Sequence, residues 1–166
     1  MNRTLLVYLL TMLNAVAVAD TDLQFRGTLI ADPCIVSTDS DEQEVDMGTI
    51  ASKTFINHPR SVPKSFRIHL LGCDLSLGST VSVTFSGTED GDQPGTFAVT
   101  GEAKGIAIAL EDEEGKAIAP GTELKPMQLE AGNTWMNFIA YVQGLNYSKV
   151  KEGPFESRAI FFLEYE

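Results

Sequence analysis

Apolar and small polar residues alternate with a period of two over most of the chain beyond residue 19. Val81-Ser82-Val83-Thr84-Phe85 is the clearest case, Ile106-Ala107-Ile108-Ala109-Leu110 is rich in β-branched residues, and Trp135 to Val142 and Ala159 to Tyr165 are aromatic and extended in character. Glycine and proline break the pattern at short intervals, among them Gly72, Gly78, Gly87, Pro94-Gly95, Gly101, Gly115, Pro120-Gly121, Gly132 and Gly153-Pro154. No twelve-residue window carries a helical stripe. The pattern predicts strands near residues 21–31, 44–49, 65–71, 80–86, 95–99, 105–110, 134–143 and 157–165. The acidic run Glu111-Asp112-Glu113-Glu114-Gly115 reads as a hairpin loop joining Leu110 to Ala117 and Ile118.

Residues 1–19 are of a different kind. Arg3 gives a positive start, Leu5 to Val18 is apolar except for Thr11 and Asn14, and Ala17-Val18-Ala19 supplies the small residues a signal peptidase requires. The stretch is short for a membrane span, which takes about 20 apolar residues. Cleavage after Ala19 leaves a mature chain that starts at Asp20 and is one domain long. Short strands with regular turns over that length are the sequence form of an all-β, immunoglobulin-like sandwich.

Export places Cys34 and Cys73, the only two cysteines, in an oxidising compartment, where they are expected to close as a structural disulfide. A zinc site needs two more ligands, and His58 and His69 have no metal-binding spacing, so no metal or cofactor is expected. The net charge of −11, and the loss of Arg3 with the signal, argue against nucleic acid and anionic lipid as partners. The acid lies in short runs at Asp39 to Glu44, Glu89 to Asp92 and Glu111 to Glu114, read as solvated turns because none has calcium-loop spacing. No nucleophile elbow, phosphate loop or base-flanked nucleophile appears, so the sequence points to neither an enzyme nor a small-molecule substrate. Trp135, at the start of a strand, is expected in the core and not on a sugar-stacking face.

The two ends carry the remaining information. Thr21, Leu23, Phe25, Gly27 and Leu29 fall on one face of an extended segment, with Asp22, Gln24, Arg26 and Thr28 on the other. Gly27 interrupts the apolar face where a strand disfavours glycine, which marks close approach of another chain or a bulge in an ordinary first strand. At the far end, Ala159, Phe161, Leu163 and Tyr165 form one apolar face of a terminal strand whose edge is open unless something pairs with it.

On these residues the chain resembles the minor pilins and tip adaptors of type 1 and P pili, subunits of the chaperone-usher class. The likeness covers essentially the whole mature chain. It rests on Leu23-Gln24-Phe25-Arg26-Gly27-Thr28-Leu29, on Cys34 just after it with a partner at Cys73, on Gly105 to Leu110 followed by the acidic hairpin, on the terminal aromatic alternation, on Gly153 as the fourteenth residue from the end, and on Tyr165 as the penultimate one. The resemblance implies three segments: a signal at 1–19, an N-terminal donor strand at 20–31, and an incomplete immunoglobulin-like pilin domain at 32–166. It implies a groove where the last strand is missing, filled first by a periplasmic chaperone and then, at an outer-membrane usher, by the donor strand of a neighbouring pilin subunit. Thr21, Leu23, Phe25, Gly27 and Leu29 are then the donor face. Ala159, Phe161, Leu163 and Tyr165 form the chaperone-binding strand, with Gly153 leaving room for its approach. The implied role is a structural, non-catalytic subunit of a cell-surface fimbrium that supports adhesion, in a minor or adaptor position beside an adhesin. The alternatives are a major rod subunit and, less well matched, a single-domain adhesin binding glycans.

Overall fold

A computed structural model describes residues 22–166; the expected signal and Thr21 lie outside the described residues. By backbone contacts the chain divides into two units, residues 1–30 and 31–166. Of the first unit, residues 22–30 are described, and all are exposed and in neither strand nor helix. The strand expected over 21–31 is therefore not formed in its described part. Alternation prepares a face, but a ladder also requires a second chain to accept the backbone hydrogen bonds.

In the second unit the described residues form β1 (Ile35–Val36), β2 (Lys64–Cys73), β3 (Thr80–Gly87), β4 (Phe97–Ala98), β5 (Thr100–Gly101), β6 (Ala107–Asp112), β7 (Ala117–Ile118), β8 (Met127–Gln128), β9 (Gly132–Gln143), β10 (Phe155–Glu156) and β11 (Ala159–Tyr165). Two single-turn helices, α1 (Thr38–Asp41) and α2 (Thr54–Asn57), lie between β1 and β2. One sheet has the order β1-β2-β9-β6-β4, with β7 also on β6, and the other has the order β11-β3-β8. A two-stranded ladder joins β5 to β10, and every ladder is antiparallel.

The alternation read from the sequence decides which side chains enter the space between the sheets. From β2 these are Ile68 and Leu70, from β3 Val81, Val83 and Phe85, and from β9 Met136, Phe138 and Ala140. Phe85 crosses from the smaller sheet to meet Phe138 edge-on at 5.0 Å and Phe66 at 6.1 Å, so three rings from three strands form the middle of the core. The geometry is the edge-to-face arrangement that aromatic quadrupoles favour.

The expected disulfide joins Cys34 to Cys73, both buried. Gly72, at φ 62°, sits at the bulge where the β2–β9 register shifts just before Cys73. The acidic hairpin forms as expected between β6 and β7. Asp112 supports it by accepting from the backbone N–H of Glu114 and Lys116, so that run is a turn held by its own carboxylate.

One expected strand is missing among the described residues of this unit. Residues 44–49 form no ladder, although Val45 and Met47 are half-buried while Glu44, Asp46 and Gly48 are exposed. The side-chain alternation of a strand is present there without a ladder partner among the described residues.

Candidate functional site

The site is the free edge of β11. On one side β11 pairs with β3 over its full length, from Ala159↔Gly87 to Tyr165↔Val81. On the other, no ladder forms among the described residues. Phe161, Leu163 and Tyr165 point at the core and are each only half-buried, whereas Val81, Val83 and Phe85 on the neighbouring strand are closed off. A half-buried apolar side chain leaves unrealised part of the roughly 1.5 to 3 kcal/mol that full burial contributes. Phe161 reaches Phe85 at 6.5 Å, which places the open edge directly over the aromatic middle of the core.

Val36, Val45, Met47 and Phe66 are further half-buried side chains packed against the same core. At Tyr165, burial pushes the phenol up from its ordinary range, and the nearby Asp32 carboxylate adds to the shift. Asp32 precedes Cys34 by two residues, and Asp74 N–H donates to the Pro33 carbonyl at 2.8 Å. The start of the second unit, the disulfide and the end of β11 thus share one pole of the sandwich.

The remaining sequence-predicted residues are placed as follows. Ala159 begins β11 but is exposed, because it sits at the fraying end opposite Gly87; Ile160 and Phe162, on the outer face, are 59% and 54% exposed. Leu23, Phe25 and Leu29 are exposed in the first unit, and nothing lies within 4 Å of the position a Cβ would take on Gly27. Gly153 has φ 151°, and a Cβ there would stand 2.6 Å from Glu102 Cβ and 2.9 Å from Ala103 N. Close packing within the subunit therefore already demands glycine at 153.

Trp135 corrects an expectation: it is 41% exposed on the outer face, not in the core. The His69 imidazole stacks on it at 3.4 Å between centroids, and the Arg67 guanidinium lies 4.2 Å from the same centroid. The indole is thus engaged by two side chains of β2. Among the described residues, no group of three His, Cys, Asp or Glu side chains is arranged to hold a metal ion. The arrangement offers strand pairing and apolar burial, and no reactive constellation.

Comparison with known proteins agrees with this geometry. The Fimbrial protein family model matches residues 23–166. The Fimbria A protein of Serratia marcescens is 34% identical over 157 residues, covering 94% of this chain and 90% of that protein. The Fimbrial adapter PapK of Escherichia coli is 39% identical over 156 residues, covering 87% of this chain and 88% of that protein. Among solved structures, the P pilus rod subunit PapA superposes with a TM-score of 0.73 at 24% identity over 81% of this chain and all of the other, a likeness of fold. A chaperone-usher pilus subunit superposes with a TM-score of 0.72 at 25% identity, covering 89% of this chain and 96% of that one.

Proposed function

The chain belongs to the fimbrial protein family, a structural subunit of a chaperone-usher fimbrium exported to the cell surface and polymerised by donor-strand exchange, and from that premise we propose which of its residues give and receive the strand. Residues 20–31 are the donor segment, with Thr21, Leu23, Phe25, Gly27 and Leu29 as its inward face. The acceptor is the free edge of β11, over the core on which Val45 and Met47 also pack. Phe161, Leu163 and Tyr165 are held first by a periplasmic chaperone and then by the donor segment of the next subunit, delivered at an outer-membrane usher. Donor-strand complementation is an established form of β-augmentation, in which main-chain bonds supply affinity and alternate side chains supply specificity.

The observation that carries the reading is β11, paired on one edge along its whole length and open on the other over half-buried side chains. Because every ladder of the sandwich is antiparallel, and such pairs are the more stable, the donor is expected to run antiparallel to β11. With Gly27 opposite Phe161, Phe25 then faces Leu163, Leu23 faces Tyr165, and Leu29 faces Ala159. The residue without a side chain meets the ring that touches Phe85, and a large residue lies over the smallest one.

Having both a donor segment and an open edge, the chain suits an interior position, that of a minor or adaptor subunit beneath an adhesin-bearing tip. Its identity to the Fimbrial adapter PapK favours this placement. Its identity to the Fimbria A protein supports a second reading, a repeated rod subunit.

The test uses the mature chain held by its chaperone and a synthetic peptide of residues 20–31. The peptide is expected to replace the chaperone and raise the melting temperature, and the Gly27→Trp peptide to do neither. Equal insertion of both peptides, or of neither, would count against the assignment.

A further inference from the structure

Lys104 and Lys151 pair directly across an antiparallel bridge, each backbone N–H donating to the other's carbonyl at 3.1 and 3.0 Å. Their exposed side chains therefore leave the same face side by side, and like charges opposite one another weaken a ladder. Lys149 ends the 3-10 turn two residues before Lys151, its ammonium 3.3 Å from Asp92, and the Lys104 ammonium donates to the Gly101 carbonyl at 3.1 Å. Glu102 and Glu152 lie in the same stretches, and Glu152 is engaged by the Ser52 hydroxyl at 2.6 Å. In a chain of net charge −11, Lys104, Lys149, Lys151 and Arg158 gather among Glu102, Glu152 and Glu156 at the pole where β11 begins, next to β5 and β10.

The opposite pole carries acid without base. It is built from residues 31–37, 72–80, 128–134 and 165–166, brought together by the disulfide, by Asp74 N–H on Pro33, and by Ser79 and Thr80 N–H on the Glu166 carbonyl. Those stretches contain Asp32, Asp74, Glu130 and Glu166 and no lysine or arginine. Leu75, Leu77 and Ile35 are exposed there, as Leu145, Tyr147 and Ile56 are toward the lysine-bearing pole.

We propose that these poles are a second, charge-complementary subunit interface, in which the acidic pole of one copy of this chain seats on the Lys104–Lys151 pole of another. The proposal rests on the donor-strand reading. Cys34 is only three residues on from Ala31, and three steps of ~3.4 Å span ~10 Å. A donor lying in the groove thus brings its own acidic pole against one pole of the acceptor. An antiparallel donor ends near Ala159, at the lysine pole; a parallel one ends near Tyr165 and sets four carboxylates against four. Complementary charge favours the first and speeds the encounter. The seat also identifies what the side-by-side lysines are for, and it lets the same subunit occupy consecutive positions.

The experiment measures exchange of chaperone-held full-length acceptor with two donors, a second copy of the mature chain and the free peptide of residues 20–31. Replacing Lys104→Glu and Lys151→Glu in the acceptor is expected to slow exchange with the full chain by ~10-fold or more at low salt, within the range that electrostatic steering spans. The loss should shrink in 1 M salt and be recovered by a donor carrying Asp32→Lys and Asp74→Lys, while the peptide, which has no pole, exchanges as before. Lys104→Gln with Lys151→Gln should fall between. A full-chain donor indifferent to these changes, or a peptide slowed as much as the full chain, overturns the seat and leaves donor-strand exchange standing. Failure of both donors on the unaltered acceptor overturns the donor-strand reading and the seat with it.

Discussion

Residues 23–29 and 159–165 are written in nearly the same way, seven residues whose alternate positions carry three large apolar side chains and one small residue, Gly27 or Ala159, yet the first is exposed and unladdered while the second is a strand. The difference is the partner. β11 has β3 alongside it over every residue, whereas the N-terminal segment has no chain to pair with among the described residues. Alternation specifies which face a segment will bury; it does not supply the backbone groups that complete a ladder. In the proposed pairing, a segment carrying a face without a ladder and a strand carrying a ladder on one edge only complete one sheet between two subunits.

The comparison breaks most sharply on deletion of residues 20–31. The shortened chain is expected to keep its melting temperature and accept donor peptide as before, while giving nothing to a neighbour. A deletion that unfolds residues 31–166 would make the segment part of its own domain, which calorimetry of the two chains decides.

Removing the disulfide by Cys34→Ala with Cys73→Ala should cost about 2 to 4 kcal/mol of domain stability, since the bond constrains the unfolded chain, and denaturant midpoints measure it. The loss should appear equally with and without residues 20–31 if the two halves are energetically separate.

A finer test lies inside the segment. Leu29→Ala removes an inward side chain and is expected to weaken donor binding by about 2 kcal/mol, roughly 30-fold, whereas Ile30→Ala, on the other face, should leave it nearly unchanged. Similar losses in titrations of the two peptides would show that the face has been misread.

The smallest effect concerns Tyr165. Its phenol is held above its ordinary range by burial and then by Asp32, so the neutral form is favoured in the folded state. The stability this carries is whole below the unfolded value, near 10, and is lost as pH rises through the raised folded value. Tyr165→Phe should flatten that alkaline portion of the stability curve, and donor insertion should move it further upward. Tyr141, also raised by burial and then by its bond to Glu111, serves as the internal control.

Much of this was legible in the residues themselves. Period-two alternation placed the inward side chains of β3 and, apart from exposed Ala159, of β11, because a strand has only two faces and the apolar one must be buried. Two cysteines in an exported chain left one pairing, and glycine and proline located the turns. Other features depend on distant segments meeting. Residues 44–49 alternate like a strand but find no ladder partner among the described residues; Trp135 is apolar yet outward, in register with His69 of β2 and with Arg67 close to its ring; and Gly153 is demanded by Glu102 and Ala103, some fifty residues earlier. Periodicity, charge and composition are local properties that the chain carries unfolded, and by themselves they determined an all-β domain with an apolar segment at each end. Which edge stays open, and which charges meet at each pole, was decided only by the tertiary structure, because both are relations between segments that the chain brings together when it folds.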